Sequence, residues 1–467
     1  MQNYVPYSGT SQSVSGRQQS DAADLQQAQI FSWLLKKAES ALYILVLFYF
    51  SGVVTGIIFP PVDDLSAENP LARLLWFPIY GLALGLILMN LIHFVRVSIF
   101  NPLLILCVLW CAISMVWSID PALSVRRSVA LLMTTLVGLA VAARYDWDGL
   151  VQRLGIVFLM MAISTVLMVL LRPSQGIMQE IHAGAWRGSF PEKNYLGGQM
   201  TKGVVVCMCA FAMRPKLFWL WVPGGILCFF LVVMSTSKTA LLISIFSIIA
   251  FLAIRVFRRY PILRLPVLYL IIATFVAFIT TFIMIPDELF GLIGKDATFT
   301  GRTDIWAELT RAIKKKPILG YGYGTFWENP LGPSYHVREA LQWGVPTAHN
   351  GWFETWLSSG VVGIGLFGLL YIISLVLAFD RTKRGGVEAY WAILAILMFA
   401  MFSMSESTIL QQNDLSWVIF VATSAKLFAF ERPFWRDRPR MPYAYGNHSD
   451  LMPQAPRRSG GRKAERR

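Results

Sequence analysis

Of the 467 residues, 55% are apolar and only 15% are charged, the mean hydropathy is +0.54 and the net charge is +14. That balance excludes a soluble globular domain of this length and calls for a membrane. The five cysteines all fall inside apolar runs, which excludes a disulfide framework. They read as buried small hydrophobes, and no histidine or carboxylate accompanies the Cys107-x3-Cys111 pair to make a metal site.

In chain order, residues 1–40 are Ser/Gln-rich and polar, with no apolar stretch of the kind a cleavable signal peptide needs. They are expected to form a disordered cytoplasmic tail. From 41 to 430, apolar runs of roughly 20 residues recur, enough to cross about 30 Å of hydrocarbon. No water is available there to satisfy backbone groups, so each run is predicted to be a helix. Candidate spans lie near 41–59, 75–94, 101–118, 128–143, 154–171, 195–213, 217–234, 239–254, 266–285, 352–379, 389–403 and 415–430. The expected fold is therefore all-α: a polytopic membrane protein whose 41–430 domain holds about twelve transmembrane helices.

Arginine and lysine set the expected orientation. With the amino terminus inside, Arg96, Arg144, Arg153, Arg214, Lys216, Arg255, Arg258, Arg259, Arg264, Arg381, Lys383 and Arg384 all fall on inner connections. The tail 431–467 carries ten Lys and Arg against four acids, so both termini are expected to be cytoplasmic. This tail suits topology retention or contact with anionic lipid, and no fold motif accompanies it to suggest nucleic acid.

That orientation leaves one long external segment, 286–350. Loops of such length are usually functional when they keep helical patterning, as this one does. Within it, Ile305, Trp306, Leu309 and Ile313 share one helix face, Lys314 to Lys316 occupy the carboxyl end and Pro317 stops the helix. Such a helix is expected to lie on the outer membrane surface. Gly360, Gly363 and Gly365 are expected to serve helix packing.

Four polar clusters face outward in this topology: Arg187 to Asn194, Ser235 to Thr239, Gly301 to Trp306 and Ala348 to Glu354. The stretches GRTDIW, KKKPILGYGYGTF and AHNGWFETWLSSGVVGIGLFGLLYI resemble the core of the O-antigen ligase and polymerase superfamily (WaaL, Wzy and ExoQ-like proteins). STSKTALL and RGSFPEKNYLG match upstream landmarks of that family. The resemblance covers roughly residues 185–375, and within the family the ExoQ-like exopolysaccharide polymerases are the nearest fit.

The resemblance implies a GT-C-like membrane glycosyltransferase with a periplasmic active site in the bacterial inner membrane. Its donor would be a glycan on undecaprenyl diphosphate and its acceptor a sugar hydroxyl. The transfer would be inverting, with no metal and no cofactor. Two cations would hold the diphosphate, and a histidine near the end of the loop would engage the acceptor. A flippase and a chain-length co-polymerase are the expected partners.

The residues suit that scheme on physical grounds. A diphosphate gains charge as the glycosidic bond breaks, so a fixed cation beside it favours the transition state. Arg302, able to fork onto phosphate oxygens at a helix start, is the first candidate. Lys238 is the second, standing where the family pattern leads one to expect arginine; a lysine neutralises phosphate as a point charge but cannot fork. Arg187 and Lys193 would recruit the anionic donor. His349 is the candidate for the acceptor hydroxyl, either as general base or as a hydrogen-bond partner; its bland alternative is a capping role at a helix entering the membrane. Glu406 is a possible acceptor-site residue, and Lys202 either points into the same cavity or snorkels. His336 and Arg338 read as solvated, and Gly320 to Gly324 as a flexible turn whose tyrosines suit sugar stacking or packing.

Alternatives from this reading are a ligase acting on lipid A-core, a lipid-linked oligosaccharide flippase, and a metal-dependent enzyme using Asp63 and Asp64. Charges gathered at one face and the absence of visible repeats count against a flippase, and no further ligand spacing supports a metal site.

Overall fold

The computed structural model describes residues 11–59, 70–179, 182–263, 265–266, 269–270, 273, 300–329, 332–342 and 344–430. These described residues are helical almost throughout, with a lone β-bridge between Ile177 and Trp186. Among the described residues, seven helices are long and apolar enough to cross a membrane: Leu71–Met89, Pro121–Arg144, Trp147–Leu171, Lys193–Met213, Pro215–Met234, Lys238–Phe257 and Gly351–Lys383. An eighth follows if Leu91–Ile99 and Pro102–Val116, bent by 87° at the break between them, form one span. Pro102 starts the second piece, and buried Asn101 spans the break by donating to the carbonyls of Val97 (2.8 Å) and Ala425 (3.3 Å).

Other runs expected as spans differ for local reasons. The 41–59 run is broken where Gly52 adopts φ 80°, and the helices Glu388–Ser403 and Leu415–Phe430 are apolar but short. The 266–285 run, Asp63 and Asp64 and the basic tail 431–467 lie outside the described residues. Residues 11–40, expected as a disordered tail, are helical: Ser11–Phe50 is one helix, in keeping with a stretch rich in Ala, Gln, Leu and Lys and free of proline and, beyond Gly16, of glycine.

The helix Lys193–Met213 is the hub. It packs against Trp147–Leu171, Phe218–Met234, Lys238–Arg259 and Glu388–Ser403. Small residues permit this: a Cβ at Gly203 would meet Cys228 Sγ at 2.7 Å, and one at Gly197 would meet Ala240 and Ser235 at 2.8 Å. All five cysteines are buried and free, as their apolar setting implies.

A second, smaller core forms between residues 305 and 357. Ile305, Leu309 and Ile313 of the helix Thr300–Lys315 pack with Tyr321, Phe326, Val337, Val345 and Leu357. The apolar face expected to rest on the membrane surface is thus covered by protein, because residues 317–357 fold back over it. The Gly320 to Gly324 stretch is a tight wedge. All three of its glycines have positive φ, and a Cβ at Gly320 would meet Leu357 O at 2.5 Å. It inserts where the Gly351–Arg384 helix breaks at Gly360 (φ 65°): Tyr321 N donates to Leu357 O (2.7 Å) and Val361 N to Pro317 O (2.9 Å). Tyr321 and Tyr323 are buried, Tyr321 within this smaller core and Tyr323 against the main one. Gly363 meets Ser359, but a Cβ at Gly365 would have open space, so packing does not account for that glycine. Arg338, expected to be solvated, braces the wedge by donating to the carbonyls of Trp327 (2.7 Å) and Val345 (3.2 Å), while His336 is exposed.

Candidate functional site

The described helix ends fall into two sets, and one set carries the site. At that end lie the starts of Lys193–Met213, Lys238–Arg259 and Gly351–Arg384, together with the loop joining Glu388–Ser403 to Leu415–Phe430. Arg302, in the first turn of Thr300–Lys315, is the focus. Its guanidinium lies 3.7 Å from the Glu406 carboxylate, and its charge is felt by Glu192 and His349 as well.

The electrostatics follow from crowding these groups into a recess. Burial pushes the Glu406 carboxyl up to about 7; Arg302 and Lys202 oppose the rise and Glu192 adds to it. Burial also raises Glu192, against the pull of Arg302 and Lys193. His349 is driven the other way, down to about 4, first by burial and then by the nearby Arg302 charge. At neutral pH the imidazole is uncharged and able to accept a proton, and one guanidinium serves two carboxyls.

The backbone holds this arrangement firmly. Trp306 Nε1 donates to Ala348 O (3.0 Å), and the Trp306 ring stacks on Phe353 with centroids 5.7 Å apart, so the helix bearing Arg302 is tied to the turn bearing His349. Glu354 accepts from Ala348 N (3.0 Å) in the same turn. His349 itself has φ 46°, a strained conformation for a side chain of this size, of the kind that clusters at functional sites. It is not the helix cap: Asn350 Oδ1 accepts from Trp352 N (2.9 Å) and Phe353 N (3.3 Å) and fills that role.

The loop carrying Glu406 is pinned from below. Tyr195 OH donates to Asp414 Oδ2 (2.6 Å), Tyr80 OH to Asn413 Oδ1 (2.6 Å), and buried Lys202 Nζ to Ser416 Oγ (2.9 Å). Lys202 therefore points inward, beneath the site.

The remaining sequence candidates are dispersed around this focus. Lys193 joins it through its field on Glu192 and donates to Thr236 Oγ1 (3.5 Å). Lys238 is exposed at the start of Lys238–Arg259, where Ser237 rather than the lysine caps the helix. Arg187 is buried and donates through Nε to Gln175 O (2.9 Å), bracing the 172–190 connection. Glu192, Tyr195 and Asp414 escaped the sequence reading as candidates. Glu192 lay inside a cluster already singled out, whereas nothing near Asp414 in sequence marks it.

The family model described as O-antigen ligase matches residues 223–368, within the stretch that carried the resemblance. The chain is similar to the exopolysaccharide production protein ExoQ of Rhizobium meliloti (strain 1021), with 24% identity over 323 residues, covering 66% of this chain and 70% of that protein. By both findings the chain is similar to O-antigen ligase and ExoQ-like proteins, and its long apolar helices are those of a multi-pass membrane protein.

Proposed function

We propose that this protein is an inner-membrane polysaccharide polymerase that joins undecaprenyl-diphosphate-linked repeat units at the periplasmic face. The observation that carries the reading is the convergence of Arg302, Glu406, Glu192 and an uncharged His349 in one recess at one end of the bundle. The relative named for exopolysaccharide production favours a polymerase over a ligase acting on lipid A-core.

In this mechanism Arg302 clamps the donor diphosphate, with Lys193 and Lys238 drawing the anion in and Arg187 holding the neighbouring connection in shape. The acceptor oxygen attacks the anomeric carbon from the side opposite the diphosphate, the C–O bond to phosphate breaks, and the electron pair leaves on the phosphate oxygen. Charge develops there, so a preoriented guanidinium lowers the barrier. His349 accepts the acceptor hydroxyl as a hydrogen bond and takes its proton as the new bond forms. Burial first, and the Arg302 charge second, depress the basicity of His349. A bound diphosphate offsets the second of these and leaves the first in place. Glu406 competes with the diphosphate for Arg302 and hands it over when the donor arrives.

The test is elongation of lipid-linked oligosaccharide by the purified full chain in the presence of EDTA. Longer lipid-linked glycans with release of undecaprenyl diphosphate support the polymerase. Transfer only to lipid A-core makes the protein a ligase, and failure with both acceptors shifts the reading to a flippase.

A further inference from the structure

Beside the Arg302 recess lies a separate polar cavity of about 200 Å³. It is smaller than the roughly 300–1,000 Å³ that drug-sized ligands occupy, so its scale suits a single sugar ring rather than an oligosaccharide. Its walls come from the 323–328 wedge, residues 346–359 and residues 407–412.

Its chemistry differs from that of the recess. The cation in its lining, Arg127, is engaged by the Gly324 carbonyl and by the Glu328 carboxylate (2.5 Å). Glu354 adds a second carboxylate, held between Trp327 Nε1 (3.0 Å) and Ala348 N. An anionic ligand would meet two carboxylates there. The rest of the polar lining is neutral and includes Gln411, Gln412, Thr347, Ser358 and Ser407, while the Thr355 and Ser359 hydroxyls are turned back onto helix carbonyls. Gln412 Oε1 accepts from Tyr323 OH (2.7 Å), while its amide nitrogen and the whole Gln411 amide make no hydrogen bond to the described residues. Ser407 Oγ is buried and turned toward the Glu354 carboxylate, short of a hydrogen bond of ordinary geometry, so the spare capacity rests on the two glutamines. Neutral donors and acceptors with spare capacity, set in a concave wall, match the hydroxyls of an uncharged sugar.

Two short segments join this cavity to the recess. Thr347 lines the cavity, and its Oγ1 accepts from His349 N (3.3 Å). The same loop that offers Glu406 to Arg302 turns immediately into Ser407 and the glutamines, through a left-handed Leu410 (φ 52°).

We propose that this cavity is a subsite for a neutral monosaccharide unit of the acceptor glycan, holding it so that its free hydroxyl reaches His349. The assignment rests on the functional reading above, since that reading makes His349 the group engaging the acceptor. The cavity selects the sugar, and the recess holds the charged leaving group.

Saturation-transfer NMR on the full chain in lipid nanodiscs, free of glycoside detergent, tests it. The probes are methyl glucoside, methyl galactoside and methyl mannoside in both anomeric forms, with inorganic diphosphate as competitor. At least one hexoside is expected to give a signal that excess diphosphate does not displace. Gln411→Trp should abolish that signal by filling the cavity, and Gln411→Ala should weaken binding about fivefold, the worth of one hydrogen bond. Both variants should keep the wild-type thermal midpoint, because Gln411 bonds to nothing among the described residues. Absence of any hexoside signal overturns the subsite, as does a signal that survives Gln411→Trp or is displaced by diphosphate. Diphosphate binding lost in Arg302→Ala reports on the catalytic reading separately, so the two can fail independently.

Discussion

Arg302 and the arginines at the other end of the helical bundle use the same chemistry differently. At the end remote from the site, cations are matched closely. Arg144 forks onto Glu39 at 2.5 and 2.7 Å, and Asn90 adds a third hydrogen bond to that carboxylate. Arg214 grips Asp148 at 2.5 Å, and Arg381 pairs with Glu388 at 3.1 Å. Buried Lys426 caps the Pro121–Arg144 helix by donating to Tyr145 O (2.6 Å). At the site end, Arg302 stands at 3.7 Å from Glu406, shares its field with Glu192, and faces a histidine held uncharged. Close matching stabilises the fold and leaves little to offer a ligand. At the site end a strained His349 backbone and the Trp306–Phe353 stack hold Arg302 near two carboxyls at once.

Breaking the site end should cost activity and leave the fold intact. Arg302→Ala is expected to lower glycan elongation by about 10² to 10³-fold, the loss seen when one preorganised charge-stabilising donor is removed. Membrane-inserted protein should be unchanged, as checked by quantifying extracted protein alongside product. His349→Ala should cost about 10²-fold, the lower bound for a positioned acid–base group. If His349→Gln restores a substantial part of the rate, hydrogen bonding rather than proton transfer is its main contribution.

Breaking the remote end should do the reverse. Glu39→Ala leaves Arg144 without its forked partner and is expected to cost about 2 kcal/mol of stability. This is read as a lower thermal midpoint in detergent with specific activity per folded molecule retained. A Glu39 variant that folds normally but cannot elongate glycan would dissolve the contrast between the two ends.

The smallest effect lies in pH. The Glu406 carboxyl sits at about 7, above its ordinary value, so its ionised form costs the fold stability that is regained as pH falls through 7. Glu406→Gln should therefore melt higher than wild type at pH 8, with the gap closing toward pH 5. Protonation also withdraws a competitor from Arg302, so affinity for the lipid-diphosphate donor should rise severalfold between pH 8 and 6 in wild type and stay flat in Glu406→Gln.

Much of this was legible in the chain itself. Apolar runs separated by basic connections are sufficient to specify membrane helices, because lipid leaves a backbone few ways to satisfy its hydrogen bonds. Arg302 and His349 stood out through the family resemblance of the segments that carry them, and Glu406 because a carboxylate at such depth is costly without a role. The facing of Ile305, Leu309 and Ile313 was also readable from period alone. What covers that face was not, since periodicity says which side is apolar and never what lies against it.

Tertiary structure decided the rest, because it alone brings distant segments together. Glu192, Arg302, His349 and Glu406 span more than 200 positions in sequence, and only packing around the Lys193–Met213 hub gathers their charges into one recess. It also separated residues of like appearance. Arg187 became a buried brace, Lys202 a buttress under the loop, and Asn350 rather than His349 the helix cap. Sequence determines which residues a membrane would not tolerate without cause. Whether the cause is a matched partner or a ligand depends on distances of a few ångströms between segments far apart in the chain.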